Sequence, residues 1–169
     1  MGDYVTIQGF DGVLERIEDL ANTANIEKSL DTACKLIERQ ARINAQALSE
    51  GNGTLAGSIA SEVKGLEGKV YTPLFYAPYV EYGTGIEAEG GKGRQDVPWV
   101  YVKNSGKEGE GAQRSYTLEE AEQAVAALKK KGLDAHYTYG QKPQPFLRPA
   151  LDQNREEVKR IIKEGLFAK

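Results

Sequence analysis

The chain has one cysteine, one histidine, no long apolar run and no excess of positive charge in its 169 residues. Each scarcity closes off a class of function. A lone Cys34 can form neither an intrachain disulfide nor a cysteine-rich zinc site, and it fits a reducing compartment. With His136 the single histidine, a histidine-pair metal site is excluded, and a Ser-His-Asp or Cys-His arrangement would have to rest on that residue alone. No apolar stretch approaches the roughly 20 residues that a membrane helix requires, and Met1 to Ile7 has neither the basic nor the apolar region of a leader. The expectation is a soluble chain made in a cytoplasm, with no membrane partner. Its 22 basic and 25 acidic side chains leave a net charge of -3, too little positive charge to displace counterions from nucleic acid over the whole surface. A weakly acidic surface would still let DNA slide past without sticking.

What the chain does contain is helical periodicity interrupted by glycine-rich stretches. Val13, Ile17 and Leu20 predict a short helix from Phe10 to Ala21, with Asp11 placed to cap it. From Asn25 to Glu50, Ile26, Leu30, Ala33, Cys34, Ile37, Ala41, Ala45 and Leu48 follow a 3.6 period until Gly51-Asn-Gly53 stops the run, which predicts one long amphipathic helix with Cys34 as a buried small hydrophobe. Alternation at Ile59, Ser61 and Val63, a turn bracketed by Gly65 and Gly68, and Val70-Tyr71-Thr72 predict a hairpin over 57–73. Ala77 to Tyr82 reads as a helical turn closed by Gly83 in a positive-φ cap.

Residues 83–95 hold five glycines among charges and read as a mobile loop, ordering only on assembly; 103–113 read as a second such loop. Between and after them, Val97 to Val102 and Asp134 to Tyr139 read as strands. Thr117-Leu-Glu-Glu120 is a capping-box pattern, Leu118, Ala121, Val125 and Leu128 share a face, and Gly132 ends the helix after Lys129 to Lys131, which complement its dipole. Pro143, Pro145 and Pro149 are expected to hold the chain extended before a closing helix from Ala150 to Gly165, with Leu151, Val158 and Ile162 inward. The whole is read as a single domain, 1–169.

Bond-making chemistry has few carriers in this pattern. His136 sits in a predicted strand without an evident nucleophile to serve, so a structural role is expected. Gly90-Gly-Lys-Gly93 fails the phosphate-loop pattern, which needs glycine where Ile86 stands and serine or threonine where Gly93 stands. Glu87, Glu89, Glu108 and Glu110 lack the spacing of a calcium loop, while Glu119 and Glu120 suit a helix first turn. Asn52-Gly53-Thr54 matches a glycosylation acceptor but reads as a turn. Lys28, Lys35, Arg39 and Arg42 share one side of the long helix, with Asp31 and Glu38 close by; a solvated face is expected there, the alternative being a nucleic-acid-binding module. Neither a metal, a cofactor nor an enzymatic activity is expected.

The strongest signal is a set of aromatic, glycine and proline blocks: Gly53-Thr-Leu-Ala-Gly-Ser-Ile59, Tyr76-Ala-Pro-Tyr-Val-Glu-Tyr-Gly-Thr-Gly85, Pro98-Trp99, and Gly140-Gln-Lys-Pro-Gln-Pro-Phe-Leu-Arg-Pro-Ala-Leu151. Tyrosine and tryptophan give large contact area for few frozen rotors and are enriched where protein surfaces meet. In this order, after a long helix, the blocks resemble the tailed-phage minor tail component family, over residues 10–165. The resemblance implies an α+β fold, with a long N-terminal helix packed on a small antiparallel sheet and a C-terminal helix. The capped helix and strand at 115–139 stand as an insertion where that family has a shorter connection, so an inserted helix is added to the fold.

It further implies a virion structural protein acting in head-to-tail joining or tail completion: a homo-oligomer, as a hexameric ring at the neck, with head-tail connector proteins and tail tube or sheath proteins as partners. DNA would pass through the lumen without specific binding, and the chain would assemble in the host bacterial cytoplasm. A close variant is the tail-terminator ring that caps tube and sheath growth. Tyr79, Glu81, Tyr82, Trp99, Phe146 and Arg148 are the candidate interface residues, with Arg148 meeting a carboxylate such as Glu81 at or near a subunit boundary. For Trp99 and Phe146 the other role is core filling.

Overall fold

Periodicity alone accounts for the longest element, α1 (Thr23–Ala47). Its stripe of Ile26, Ala33, Cys34, Ile37, Ala41 and Ala45 is buried, as the 3.6 spacing requires. The computed structural model describes residues 4–6, 23–48, 53–103 and 115–167. The helix expected from Phe10 to Ala21, its cap Asp11, the Gly51-Asn52 stop and nearly all of the second loop lie outside the described residues. The elements form an α+β fold with a long N-terminal helix, a small antiparallel sheet, an inserted helix and a C-terminal helix.

The chain divides into two compact units, Met1–Ala77 with Pro145–Lys169 and Pro78–Gln144, a division that the reading of a single 1–169 domain did not draw. In the first unit, β1 (Tyr4–Thr6), β2 (Ala60–Lys64) and β3 (Glu67–Tyr71) form an antiparallel sheet in the order β1-β3-β2. Tyr4 pairs with Tyr71 and Thr6 with Lys69, a strand that no local pattern announced. The hairpin is shorter than 57–73, because Gly53–Ser58 is a helix, α2, in which the Ser58 hydroxyl donates to the Leu55 carbonyl at 2.7 Å. Leu55 and Ile59 are wholly buried.

Gly65, at φ 58°, makes the hairpin turn, whereas Gly68 is a buried strand residue rather than a turn residue. A Cβ on Gly68 would come within 2.5 Å of Cys34 Sγ, so the absence of a side chain lets the sheet and α1 approach. Polar groups also tie α1 to the sheet. Glu38 accepts from the Ser61 hydroxyl at 2.6 Å, and Arg42 pairs with Glu38 at 2.7 Å while donating twice to the Ile59 carbonyl at 3.1 and 2.7 Å.

The C-terminal helix, α5 (Leu147–Phe167), lies against α1. It starts three residues earlier than expected and includes Pro149. A proline in the first turn loses no helical bond, because the first N–H groups of a helix have no intrahelical acceptor. Gly165 is its close-approach residue: a Cβ there would lie 2.6 Å from Ser29 Cβ on α1. Asn44 of α1 donates to the Phe146 carbonyl at 3.1 Å, just ahead of α5.

The second unit contains most of α3 (Ala77–Tyr82), then β4 (Thr84–Gly85), β5 (Trp99–Val102), α4 (Leu118–Lys130), β6 (Ala135–Thr138) and β7 (Gly140–Gln141). β4 pairs with β7 and β5 with β6, both antiparallel. The capping box at α4 forms as its sequence predicts: Thr117 Oγ1 accepts from the Glu120 N–H at 3.2 Å, and the Glu120 carboxylate accepts from the Thr117 N–H at 2.9 Å. At the other end Gly132, at φ 78°, turns the chain so that the Leu133 N–H reaches the Leu128 carbonyl at 3.2 Å and the Gly132 N–H reaches Lys129 at 2.9 Å. Ala121 of α4, Val100 of β5 and Ala135 of β6 are the buried centre of this layer.

Candidate interaction surface

The six residues singled out by sequence divide by exposure. Tyr79 and Tyr82 stand three residues apart on α3 and are 55% and 42% exposed, so helical spacing sets both rings toward solvent on neighbouring positions. Glu81 of the same helix is 3% exposed and is therefore a buried carboxylate rather than a surface charge. Arg148, in the first turn of α5, is half-buried. Phe146 has no accessible surface at all; it takes the core-filling role, because a ring enclosed by its own chain has no face left for a neighbour.

Trp99 is half-buried at the start of β5, and its environment is built by the segment before it. The Arg94 guanidinium lies 5.5 Å from the ring centroid and is held there by Asp96, with Nε to Oδ1 and Nη2 to Oδ2 both at 2.8 Å. The hydrogen bond from Arg94 keeps the Asp96 carboxyl below its ordinary range. Planar and doubly hydrogen-bonded to Asp96, the Arg94 guanidinium covers one side of the indole.

That preceding segment is tied down at several points by its backbone. Thr84 and Gly85 pair with Gln141 and Gly140, Ile86 N–H donates to the Tyr139 carbonyl at 3.1 Å, and Gly91 N–H donates to Ala88 at 3.1 Å. The glycines serve approach: a Cβ on Gly83 would lie 2.6 Å from the Gln141 carbonyl oxygen, and one on Gly93 would lie 2.5 Å from Ala88 Cβ. The same composition signals flexibility or tight contact, and only the partner strand distinguishes them.

Other exposed apolar residues lie outside the candidate set, and one of them, Leu118, was expected on the apolar face of α4. Phe75 is 54% exposed, Ile86 48%, Leu118 46% and Leu133 42%, with Tyr101, Tyr137 and Tyr139 close behind. For Tyr101 the available signal was alternation: in the β5–β6 register, Trp99 opposes Thr138 and Tyr101 opposes His136, on the face opposite that of Val100 and Ala135, whereas Tyr137 opposes Val100 and shares its face. Tyr101 stacks on His136 with centroids 5.7 Å apart, and His136 Nε2 is 2.7 Å from Asp134 Oδ1, a cross-strand arrangement that accounts for the histidine structurally.

Of the basic side chains on α1, Arg42 is committed to Glu38 and the Ile59 carbonyl, and Lys35 to Asp31. Cys34 is 1% exposed, and burial, then Asp31 and Glu38, push its thiol up from 9.0 to about 11. Among the described residues no cluster of three or more His, Cys, Asp or Glu is placed to hold a metal ion, and no helix is long and apolar enough to cross a membrane. Comparison with protein-family models, with curated proteins and with solved structures gives no match to this chain.

Proposed function

We propose that the chain is a virion structural subunit of a tailed-phage neck, forming a ring that joins the head connector to the tail or completes the tail. The observation that carries this reading is the exposure of Tyr79 and Tyr82 within the Tyr76 to Gly85 block, the most distinctive of the blocks behind the family resemblance. Two large rings left in solvent on one short helix are poor use of apolar area in a chain that stays alone, and good use in one whose copies close over them. The α+β arrangement of long helix, small antiparallel sheet and C-terminal helix agrees with what the resemblance implies.

In a closed ring each subunit shows different surfaces to its two neighbours, so one exposed helix per copy is sufficient to seal every joint. Replacing the more exposed ring, as Tyr79→Ser, is expected to leave the melting temperature of the isolated chain nearly unchanged, because exposed positions contribute within about 0.5 kcal/mol, and to abolish ring formation and incorporation into particles. Electron microscopy of particles carrying the protein separates the neck layer from the tail-terminator position directly above the tube. A chain that stays monomeric with the particle's components, or a serine variant that assembles normally, refutes the proposal.

A further inference from the structure

Resting on that ring reading, we propose that the second unit carries both halves of a contact between successive copies: the 86–91 turn of one copy docks against the C-terminal end of α4 of the next. The partner is a second copy of this chain, and the argument is complementarity in shape, apolarity and charge.

The turn is preformed. Its backbone is tied to the Tyr139 carbonyl through Ile86 and closed on itself by Ala88 to Gly85 at 3.3 Å and Gly91 to Ala88 at 3.1 Å, while Gln95 Nε2 donates to the Gly93 carbonyl at 3.0 Å. What it displays is Ile86, 48% exposed, next to the exposed carboxylates Glu87 and Glu89; Lys92 follows as the one cation of the turn. The end of α4 is the counterpart. The Gly132 cap projects Leu133, 42% exposed, beside exposed Lys129, Lys130 and Lys131; Asp134 is turned to His136 by its 2.7 Å contact. An apolar residue framed by acid thus has a match in an apolar residue framed by base.

The Ile86 and Leu133 backbones lie well apart within one chain. β6 separates them: its upstream flank Asp134 accepts from the Lys103 N–H, its downstream flank Tyr139 accepts from Ile86, and the run between covers roughly 15 Å at the rise of a strand. Complementary patches at opposite ends of one unit define a head-to-tail contact, which closes into a ring or propagates as a filament. The lysines also complement the dipole of α4, which binds them no further than its last turn and leaves their charge available for steering a neighbour.

The test is the full chain with Ile86→Cys and Leu133→Cys together, oxidised at concentrations where wild type is followed by sedimentation. A disulfide needs Cα atoms within about 7 Å, so an intrachain bond is excluded, and a ladder of covalent multimers is expected from the double variant with no more than dimers from either single variant. Wild type that assembles while the double variant gives no ladder overturns this contact and leaves the ring reading standing. Wild type that stays monomeric even with the particle's components, with no ladder, overturns both. Should the cysteines disturb folding, a charge exchange replaces them: Glu87→Lys with Glu89→Lys, and Lys129→Glu with Lys130→Glu and Lys131→Glu. Neither charge variant is expected to assemble alone, and an equimolar mixture is; assembly of either one alone refutes the contact.

Discussion

Gly68→Ala is the sharpest probe of how α1 sits on the sheet. The added methyl would begin 2.5 Å from Cys34 Sγ, whereas Val63 Cγ2 at 3.8 Å and Leu30 Cδ2 at 4.0 Å are at ordinary contact distance. One atom is therefore the whole obstacle, and it belongs to a buried side chain. Overpacking of this kind costs about 1–3 kcal/mol, against a gain of about 0.4–1 kcal/mol from a less flexible unfolded chain. The net expectation is a loss of about 1–2 kcal/mol, or roughly 3–6 °C in Tm for a chain of this size. Cys34→Ala removes the obstacle at its own cost. In that background the methyl of Gly68→Ala fills the vacated space, and its sign reverses to a gain of roughly 0.5–1 kcal/mol. Urea unfolding of the four proteins measures the coupling, expected near 2 kcal/mol. Equal effects of Gly68→Ala in both backgrounds would show that Cys34 and Gly68 do not touch, and the register of α1 on β3 would fall with that contact.

Three further expectations rest on other contacts. The Cys34 thiol, raised to about 11, is neutral in the folded chain; its contribution to stability is complete below about pH 9 and lost as pH rises through 11. An aromatic disulfide at pH 8 is accordingly expected to label it slowly in the native chain and rapidly in denaturant, and fast native labelling would contradict the burial. Thr117→Ala removes the acceptor of the capping box and is expected to cost about 1 kcal/mol, read as earlier hydrogen exchange in the first turn of α4 with little change elsewhere. Arg94→Lys keeps the charge but loses the planar fork that Asp96 holds over the ring, so Trp99 fluorescence is expected to shift to the red and become more quenchable. Wild type should move the same way on acidification below pH 3.8, because a carboxyl with a lowered pKa contributes fully above its ordinary value and loses that contribution as pH falls through the folded one; fluorescence unmoved by both changes would refute the clamp.

The local elements were legible because their rules act over a few residues. The stripe of α1, the Thr117-to-Glu120 box, the Gly83 and Gly132 caps, the alternation in β2 and β6 and the strand character of β5 each depend on neighbours that the linear order displays. The candidate surface was only half legible: Tyr79, Glu81 and Tyr82 were picked as a group, yet two are exposed and one is buried. Accessibility sums contacts from remote segments, and no local pattern contains that sum. The same holds for β1, which is a strand through pairing with β3, for Pro149, which lies in a helix's first turn instead of an extended run, and for Gly68 and Gly83, whose missing side chains answer to Cys34 and Gln141. The amino-acid order by itself determined the long helix, the capped helix and the Gly132 turn that closes it, because those rules act over a few residues. Which of those surfaces face one another, and which are left to meet another molecule, was decided by tertiary structure, since burial and close approach are properties of pairs of segments distant along the chain.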